Sequence, residues 1–190
     1  MARSATNCFV FVNNSTLEAV EVAISHAETV QIFSLARKRQ ADNTTFQRSD
    51  YHGAKHRNGE LLHIVGALGE LATAKALGLP FDHDERGIYA STNDDLQSGL
   101  EVRTRGKRWY DRMYIHPKDR SGLIYVHAKL DAPDPLDSGL YRWSNRVVDV
   151  VGWIRSEDAN CVKTIADFGT PNWTCHESHL QPIDTCPFKQ

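Results

Sequence analysis

The spacing of apolar residues changes partway along the chain, from a helical period to short extended runs. Residues 60–77 carry apolar side chains three or four positions apart and are followed by Gly78, which predicts a helix over this range. Apolar positions also recur at roughly helical spacing from residue 16 to about residue 40. Ser15 and Glu18, three residues apart as in a capping box, mark a possible helix start. We therefore expect one long helix or two helices in that earlier region.

Small residues form a line on the predicted helix at Gly66, Gly69 and Thr73. Glycine costs about 1 kcal/mol relative to alanine in a helix interior, so two glycines so close together need a structural reason. We expect them to let another element pack closely against the helix.

Beyond residue 80 the chain consists of short runs rich in β-branched and aromatic residues, separated by Gly, Pro, Asp and Asn. Such runs predict strands. They lie at residues 87–90, 100–104, 113–115, 123–130 and 147–154. The last two are apolar enough to be central strands covered on both faces, so the pattern predicts an α/β fold. Little structure is predicted beyond residue 165.

Composition is that of an ordinary globular protein. A chain of 190 residues suits one domain, and 41% hydrophobic with 24% charged residues is typical of such domains. The apolar run at residues 8–12 is too short for a signal peptide, and no run approaches the length of a membrane helix. The four cysteines have no framework spacing. We therefore expect a cytoplasmic protein with no membrane partner.

Charge is distributed unevenly although the net charge is only -2. Residues 101–120 carry more basic than acidic side chains. The basic residues are Arg103, Arg105, Lys107, Arg108, Arg112, Lys118 and Arg120, against Glu101, Asp111 and Asp119. Such a segment is typical either of a surface that faces phosphates or of a solvated charged face, and both readings stay open.

Three acids are candidates for a metal site: Glu70 on the helix, Asp95 before a turn, and Glu101 at the start of the next strand. If residues 97–99 form a bend, the carboxylates of Asp95 and Glu101 can converge at one edge of a hairpin. Because strand side chains alternate between faces, Glu101 and Arg103 share a face. Converging carboxylates repel each other, and Mg²⁺, which takes one or two carboxylates with water and phosphate, relieves that repulsion. Solvated acids at a turn are the alternative.

The order of these features resembles the PD-(D/E)XK nuclease superfamily, the fold of restriction enzymes, junction resolvases and recombination exonucleases. The resemblance covers about residues 60–130. The helix segment Gly66-Ala-Leu-Gly-Glu70 resembles the first core helix of that superfamily. Asp95, followed by Glu101-Val-Arg103 on the next strand, resembles its D…(D/E)-x-K hairpin. The strands at 123–130 and 147–154 resemble its third and fourth core strands.

This resemblance implies a single restriction-endonuclease-like domain over residues 1–190, with a central mixed β-sheet flanked by helices. Its implied parts are an N-terminal helical extension at 1–58, a core at 59–165 and a C-terminal extension at 166–190. It further implies a metal-dependent nuclease that hydrolyses phosphodiester bonds of DNA. Glu70, Asp95 and Glu101 would hold one or two Mg²⁺ or Mn²⁺ ions.

The chain departs from the family at Arg103, where the motif has lysine. Arginine does not lose its proton in a protein, which excludes a general base at this position but leaves charge stabilisation possible. A metal can itself lower the pKa of a bound water, so hydrolysis does not require a base here. Lys107 could reach the site instead. Lys75 is discounted, since it lies about 140° around the helix from Glu70.

Other side chains are candidates for contacts with nucleic acid. Three basic ones would hold the phosphates flanking the cleaved bond: Arg105, Lys107 and Arg108. His63 shares a helix face with Glu70 and would either contact phosphate or be a half-buried histidine bonded to a carbonyl. Trp109 and Tyr110 could stack on bases or pack at a strand edge.

Two other function classes remain open at this point. The first is a nuclease fold that has lost its chemistry and acts as a nucleic-acid-binding or assembly module, which Arg103 favours. The second is a structural or partner-inhibiting protein. A homodimer is also left open, as is a zinc site among the C-terminal cysteines and histidines, whose spacing lacks the usual pairs.

Overall fold

A computed structural model describes residues 17–45, 59–81, 96, 98–108, 110–115, 121–132, 140–159, 162–165 and 171–190. The predicted strand at 87–90 and Asp95 lie outside these residues. None of the helices in these ranges has the length and apolar character needed to cross a membrane.

Four strands form a mixed central sheet in the order β1-β5-β4-β2. They are β1 (Val20–Ala23), β2 (Leu100–Arg105), β4 (Ile124–Lys129) and β5 (Val147–Arg155). β5 pairs antiparallel with both β1 and β4, whereas β2 pairs parallel with β4. The general prediction of an α/β fold with a mixed sheet is confirmed.

Two long helices cover one face of this sheet, α1 (His26–Thr45) and α2 (Gly59–Leu77). α2 contacts all four strands, and α1 packs on α2. A short helix, α3 (Leu140–Trp143), places the buried Trp143 edge-on against Phe33 of α1. The larger hydrophobic core lies between the helices and the central sheet.

A second, three-stranded sheet covers the opposite face of the central sheet. This outer sheet has the order β3-β7-β6, with β3 (Arg112–Ile115), β6 (Val162–Ile165) and β7 (Pro171–His176). Met113 and Cys175 of the outer sheet share a core with Tyr125, Val151 and Ile154 of the central sheet. The protein therefore has three layers, and the outer sheet is a feature that the sequence pattern did not predict.

The helix predicted from residue 16 is wrong at its start, because residues 20–23 form a strand. Val22 and Ile24 are buried while Glu21 and Ala23 are exposed, which is the two-residue alternation of a strand with one buried face. The capping box lies at Ser25 and Glu28: the Ser25 N–H donates to Glu28 Oε2 (2.7 Å), and Ser25 Oγ accepts from the Glu28 N–H (3.3 Å). Ser15 lies outside the described residues.

Close packing of α2 on β2 occurs at Gly69, as the small-residue line predicts. A Cβ atom at Gly69 would lie 2.8 Å from the Cβ and Cγ2 atoms of Thr104, and closer still to its Oγ1. A Cβ at Gly66 would meet only Glu70 Oε1, at 3.9 Å. Only Gly69 of these two glycines is therefore required by packing against another element.

We expect Gly69→Ala to lower the free energy of unfolding by about 1–3 kcal/mol, because the added methyl group overpacks the helix–strand contact. Gly66→Ala is the matched control and should raise the same free energy by up to about 1 kcal/mol through helix propensity. Urea denaturation of the three proteins gives both values. Equal effects of the two substitutions would show that the α2–β2 contact is looser than described.

Candidate functional site

The two faces of β2 serve different layers of the protein. Leu100, Val102 and Thr104 face α2, since the first two belong to the helix-side core and Thr104 touches Gly69. By alternation Glu101, Arg103 and Arg105 face the outer-sheet side. In the parallel register with β4 these three align with Tyr125, His127 and Lys129. A row of charged and polar side chains therefore lies on one face of two adjacent strands.

Glu101 and Arg103 are neighbours on this face, as predicted from strand alternation. Arg103 Nη2 lies 3.6 Å from Glu101 Oε2, and the guanidinium stands over the Tyr125 ring at 5.6 Å from its centre. Their side chains are 19% and 29% exposed for Glu101 and Arg103 respectively, so both remain accessible to a ligand. β2 is the edge of the central sheet in the described part of the chain, which leaves this pair open on one side.

Glu70 lies elsewhere, on the helix layer. Its two carboxylate oxygens accept hydrogen bonds from the Nη1 and Nη2 atoms of Arg39 on α1, at 3.0 and 2.8 Å. This bidentate pair is mostly buried, with side chains 20% exposed for Arg39 and 9% for Glu70. The structure therefore places Glu70 with α1, whereas Glu101 projects from the face of β2 that is turned away from α2.

The structure describes two of the three acids that were predicted to bind a divalent metal. Asp95 lies outside the described residues, and the structure groups no three His, Cys, Asp or Glu side chains as a metal site within the ranges it describes. Glu101 by itself suits Mg²⁺, which binds through one or two carboxylates and otherwise through water and phosphate. A shared metal role for Glu70, Asp95 and Glu101 stays a prediction.

Arg105 is the next cation along the same face. Its guanidinium lies between two tyrosine rings, 4.3 Å from the centre of Tyr110 and 3.7 Å from that of Tyr114. Tyr110 thus stacks on an arginine, and Trp109 lies outside the described residues. The two rings hold Arg105 in one orientation.

The other predicted phosphate contacts differ in how available they are. Arg108 Nη2 donates to Asp149 Oδ1 at 2.9 Å, so its charge is already neutralised, whereas Lys107 is exposed. Burial raises the pKa of Asp149, and Arg108 opposes that shift. Lys75 Nζ donates to Glu28 and to the Ala23 carbonyl, both at 2.9 Å, which engages it at the far end of α2. His63 is half-buried on α2.

His127 is a polar residue of this face that the sequence analysis missed. It is fully buried, and neither ring nitrogen has a hydrogen-bond partner among the described side chains and backbone. Burial, with Lys129 and Arg105 adding to it and Asp111 opposing, lowers the pKa of His127 to about 3, so the ring is neutral at physiological pH. Its polarity between the apolar Val126 and Ala128 was the available sign.

Lys129 and Glu177 form an ion pair beside His127. Glu177 Oε1 lies 3.7 Å from His127 Nδ1, beyond hydrogen-bonding distance. Glu177 follows β7, so the outer sheet brings this acid to the polar face of the central sheet.

The C-terminal cysteines are distributed over both cores. Cys175 packs in the core between the two sheets and Cys186 in the helix-side core. Cys161 lies outside the described residues. His176 accepts from the Ser178 N–H through Nδ1 (3.1 Å) and pairs with Asp111 through Nε2 (3.1 Å).

Comparisons with known proteins found no matching family model, no matching curated protein and no matching solved structure.

Proposed function

We propose that this chain is a metal-dependent nuclease that hydrolyses phosphodiester bonds of DNA. The observation that carries the proposal is the pair Glu101 and Arg103, side by side on an accessible edge strand with their charged groups 3.6 Å apart. Arg105 continues the same face with a third charged group. A carboxylate next to guanidinium groups suits a site that holds a metal and a phosphate together.

In this proposal Glu101 is a metal ligand, with Asp95 as its partner and Glu70 as a third acid. When bound, Mg²⁺ or Mn²⁺ would supply an activated water by lowering its pKa. Glu101 fits that role because its side chain is partly exposed and carries a carboxylate. Glu70 could join only by sharing or leaving Arg39, which holds both of its oxygens.

Arg103 would stabilise negative charge on the phosphate as the bond to the leaving oxygen breaks. Its permanent charge suits this role, and its inability to lose a proton excludes a role as general base. Lys107, which is exposed, would hold a flanking phosphate, and Arg108 would do so only on release from Asp149. DNA as the substrate and a cytoplasmic location belong to the same proposal.

A second candidate is a nucleic-acid-binding or assembly module with the same residues and no chemistry. The Arg39–Glu70 pair favours this candidate, because it neutralises the helix carboxylate that the nuclease reading assigns to the metal.

Substitutions of Arg103 separate the two candidates. We expect Arg103→Lys to keep substantial Mg²⁺-dependent cleavage of plasmid and linear DNA, because lysine also supplies a cation. Arg103→Ala should lose roughly a hundredfold, as removal of one electrostatic stabiliser commonly does. Arg112→Ala, at an exposed cation of β3, is the control and should leave the rate unchanged.

Cleavage rates and salt-dependent DNA affinities of all four proteins decide the matter. A parent that binds DNA and cuts it with neither Mg²⁺ nor Mn²⁺ would exclude the nuclease and favour the binding module. Arg103→Ala would then only reduce affinity slightly, with a smaller salt dependence.

A further inference from the structure

His127 lies at the interface between the two sheets and has no role so far. Tyr125, on the same face of β4, belongs to the core between the sheets, whereas Val126 and Ala128 belong to the helix-side core. The His127 ring is fully buried, and neither of its nitrogens has a hydrogen-bond partner among the described residues. Buried polar groups are almost always hydrogen-bonded, so this ring is an unusual component of a sheet interface.

The surroundings of the ring oppose a positive charge on it. Arg103 of β2 is its register partner, and Arg105 and Lys129 follow two residues further along the two strands. Burial, and then Lys129 and Arg105, lower the pKa of His127 to about 3, while Asp111 acts in the opposite direction. The ring is therefore neutral at physiological pH in the arrangement of the sheets that the structure shows, which we call the closed state.

The nearest carboxylate leaves the ring neutral. Glu177, which follows β7, has its Oε1 atom 3.7 Å from His127 Nδ1, and the same oxygen forms the ion pair with Lys129. β5 places Gly152 opposite the ring and so adds no charged side chain at that register position. Within the described residues, a proton on His127 would have no acceptor at hydrogen-bonding distance.

The outer sheet can separate from the central sheet without breaking a ladder of paired strands. Within the described ranges its three strands pair only with one another, and apolar side chains between the sheets hold it in place. This inter-sheet core is the smaller of the two hydrophobic cores. Because hydrophobic stabilisation grows with the buried apolar area, separating the sheets costs less than unfolding the helix-side core.

We propose that the outer sheet is an acid-sensitive cover, which separates from the central sheet as the pH falls while His127 takes up a proton in the opened state. There the ring regains water, in which its ordinary pKa is 6.5. Protons therefore favour the opened state. The closed state is most stable above about pH 6.5 and loses stability as the pH falls from there to about 3. This inference goes beyond the proposed function and does not depend on it.

Two buried cysteines report on the two cores separately. Cys175 packs in the inter-sheet core and Cys186 in the helix-side core. The full chain is labelled with a maleimide at pH values from 7 to 5, and the labelled peptides are measured by mass spectrometry. The rate for each cysteine is compared with its rate in urea-unfolded protein at the same pH, which cancels the pH dependence of the thiol itself. The ratio of the unfolded to the native rate is the protection of that cysteine.

The protection of Cys175 should fall about 25-fold between pH 7 and pH 5. This value follows from one proton that binds with a pKa of 6.5 in the opened state and about 3 in the closed state. The protection of Cys186 should change much less, because the helix-side core stays closed. Equal losses at both cysteines would indicate global unfolding, and unchanged protection of Cys175 would show that the cover does not open. Either result overturns the proposal.

Substitutions assign the effect to His127. His127→Leu removes the titrating ring and should abolish the 25-fold loss at Cys175. His127→Gln, which also does not titrate, is the second variant in case the first does not fold. A His127 variant with the acid response of the parent would overturn the proposal.

His176→Gln is the matched control, at a second histidine of the outer sheet. The His176 side chain is 42% exposed and pairs with Asp111, so its titration does not require the sheets to separate. This variant should keep the acid response of the parent, and loss of the response would assign the switch to His176 and overturn the proposal. If neither His127 variant folds, this control and the two cysteines of the parent decide the matter.

Discussion

Glu101→Gln should reduce Mg²⁺-dependent DNA cleavage by about a thousandfold, near the upper end of what loss of one transition-state stabiliser costs. The amide keeps the size of the side chain and removes the charge that a divalent cation needs. Because Glu101 is at an edge strand and partly exposed, the substitution should leave the fold intact. Cleavage is measured as the initial rate of plasmid nicking at saturating Mg²⁺.

The matched control for Glu101→Gln is Glu21→Gln, at an exposed glutamate on β1, which lies at the other end of the described central sheet. It removes the same charge and should cut as fast as the parent. Mn²⁺ should raise the melting temperature of the parent and of the control but not of Glu101→Gln, since a ligand of the folded state stabilises it by mass action. Normal cleavage by Glu101→Gln would remove this residue from the site.

Glu70→Gln should lower the free energy of unfolding by about 3 kcal/mol, at the lower end of the cost of breaking a buried ion pair. Arg39 would keep its charge, with its side chain only 20% exposed, and lose the carboxylate that accepts hydrogen bonds from its Nη1 and Nη2 atoms. Chemical denaturation gives the value. The prediction follows from a contact between α1 and α2 and does not depend on the nuclease activity.

Two control variants show what a loss of stability in Glu70→Gln means. Glu60→Gln breaks the exposed pair with Arg37 and should cost less than about 1 kcal/mol. The double variant Arg39→Met with Glu70→Leu should recover most of the lost stability, because it removes both charges together. If Glu70→Gln were as stable as the parent and lost its response to Mn²⁺, Glu70 would be a metal ligand rather than the partner of Arg39.

Local sequence patterns predicted the elements whose apolar residues recur with a regular period. The stripe along α2 and the β-branched runs of β2, β4 and β5 were enough to locate those elements. β1 was mistaken for helix because Val20 and Ile24 are four residues apart, as on one helix face. Its strand conformation depends on pairing with Val147–Val150, far along the chain, which no local pattern contains.

The candidate site was predictable to the same extent. Strand alternation was enough to place Glu101 and Arg103 on one face. The partner of Glu70 was not predictable, since Arg39 is 31 positions away along the chain and lies in a polar stretch of α1. His127 was overlooked because its apolar neighbours made the whole strand look like core. The outer sheet, which covers that face, forms from short strands brought together by β7, which pairs with both β3 and β6.

The pairing of β1 with β5 also sets the order in which the chain can fold during synthesis. Val20 pairs with Val150, and the roughly 130 residues between them take about 7–25 s to translate at ordinary ribosomal rates. Until then β1 has unpaired backbone groups, which are prone to pair with other chains. Because so many contacts join distant parts of the sequence, refolding in vitro should also be slow for a protein of this size.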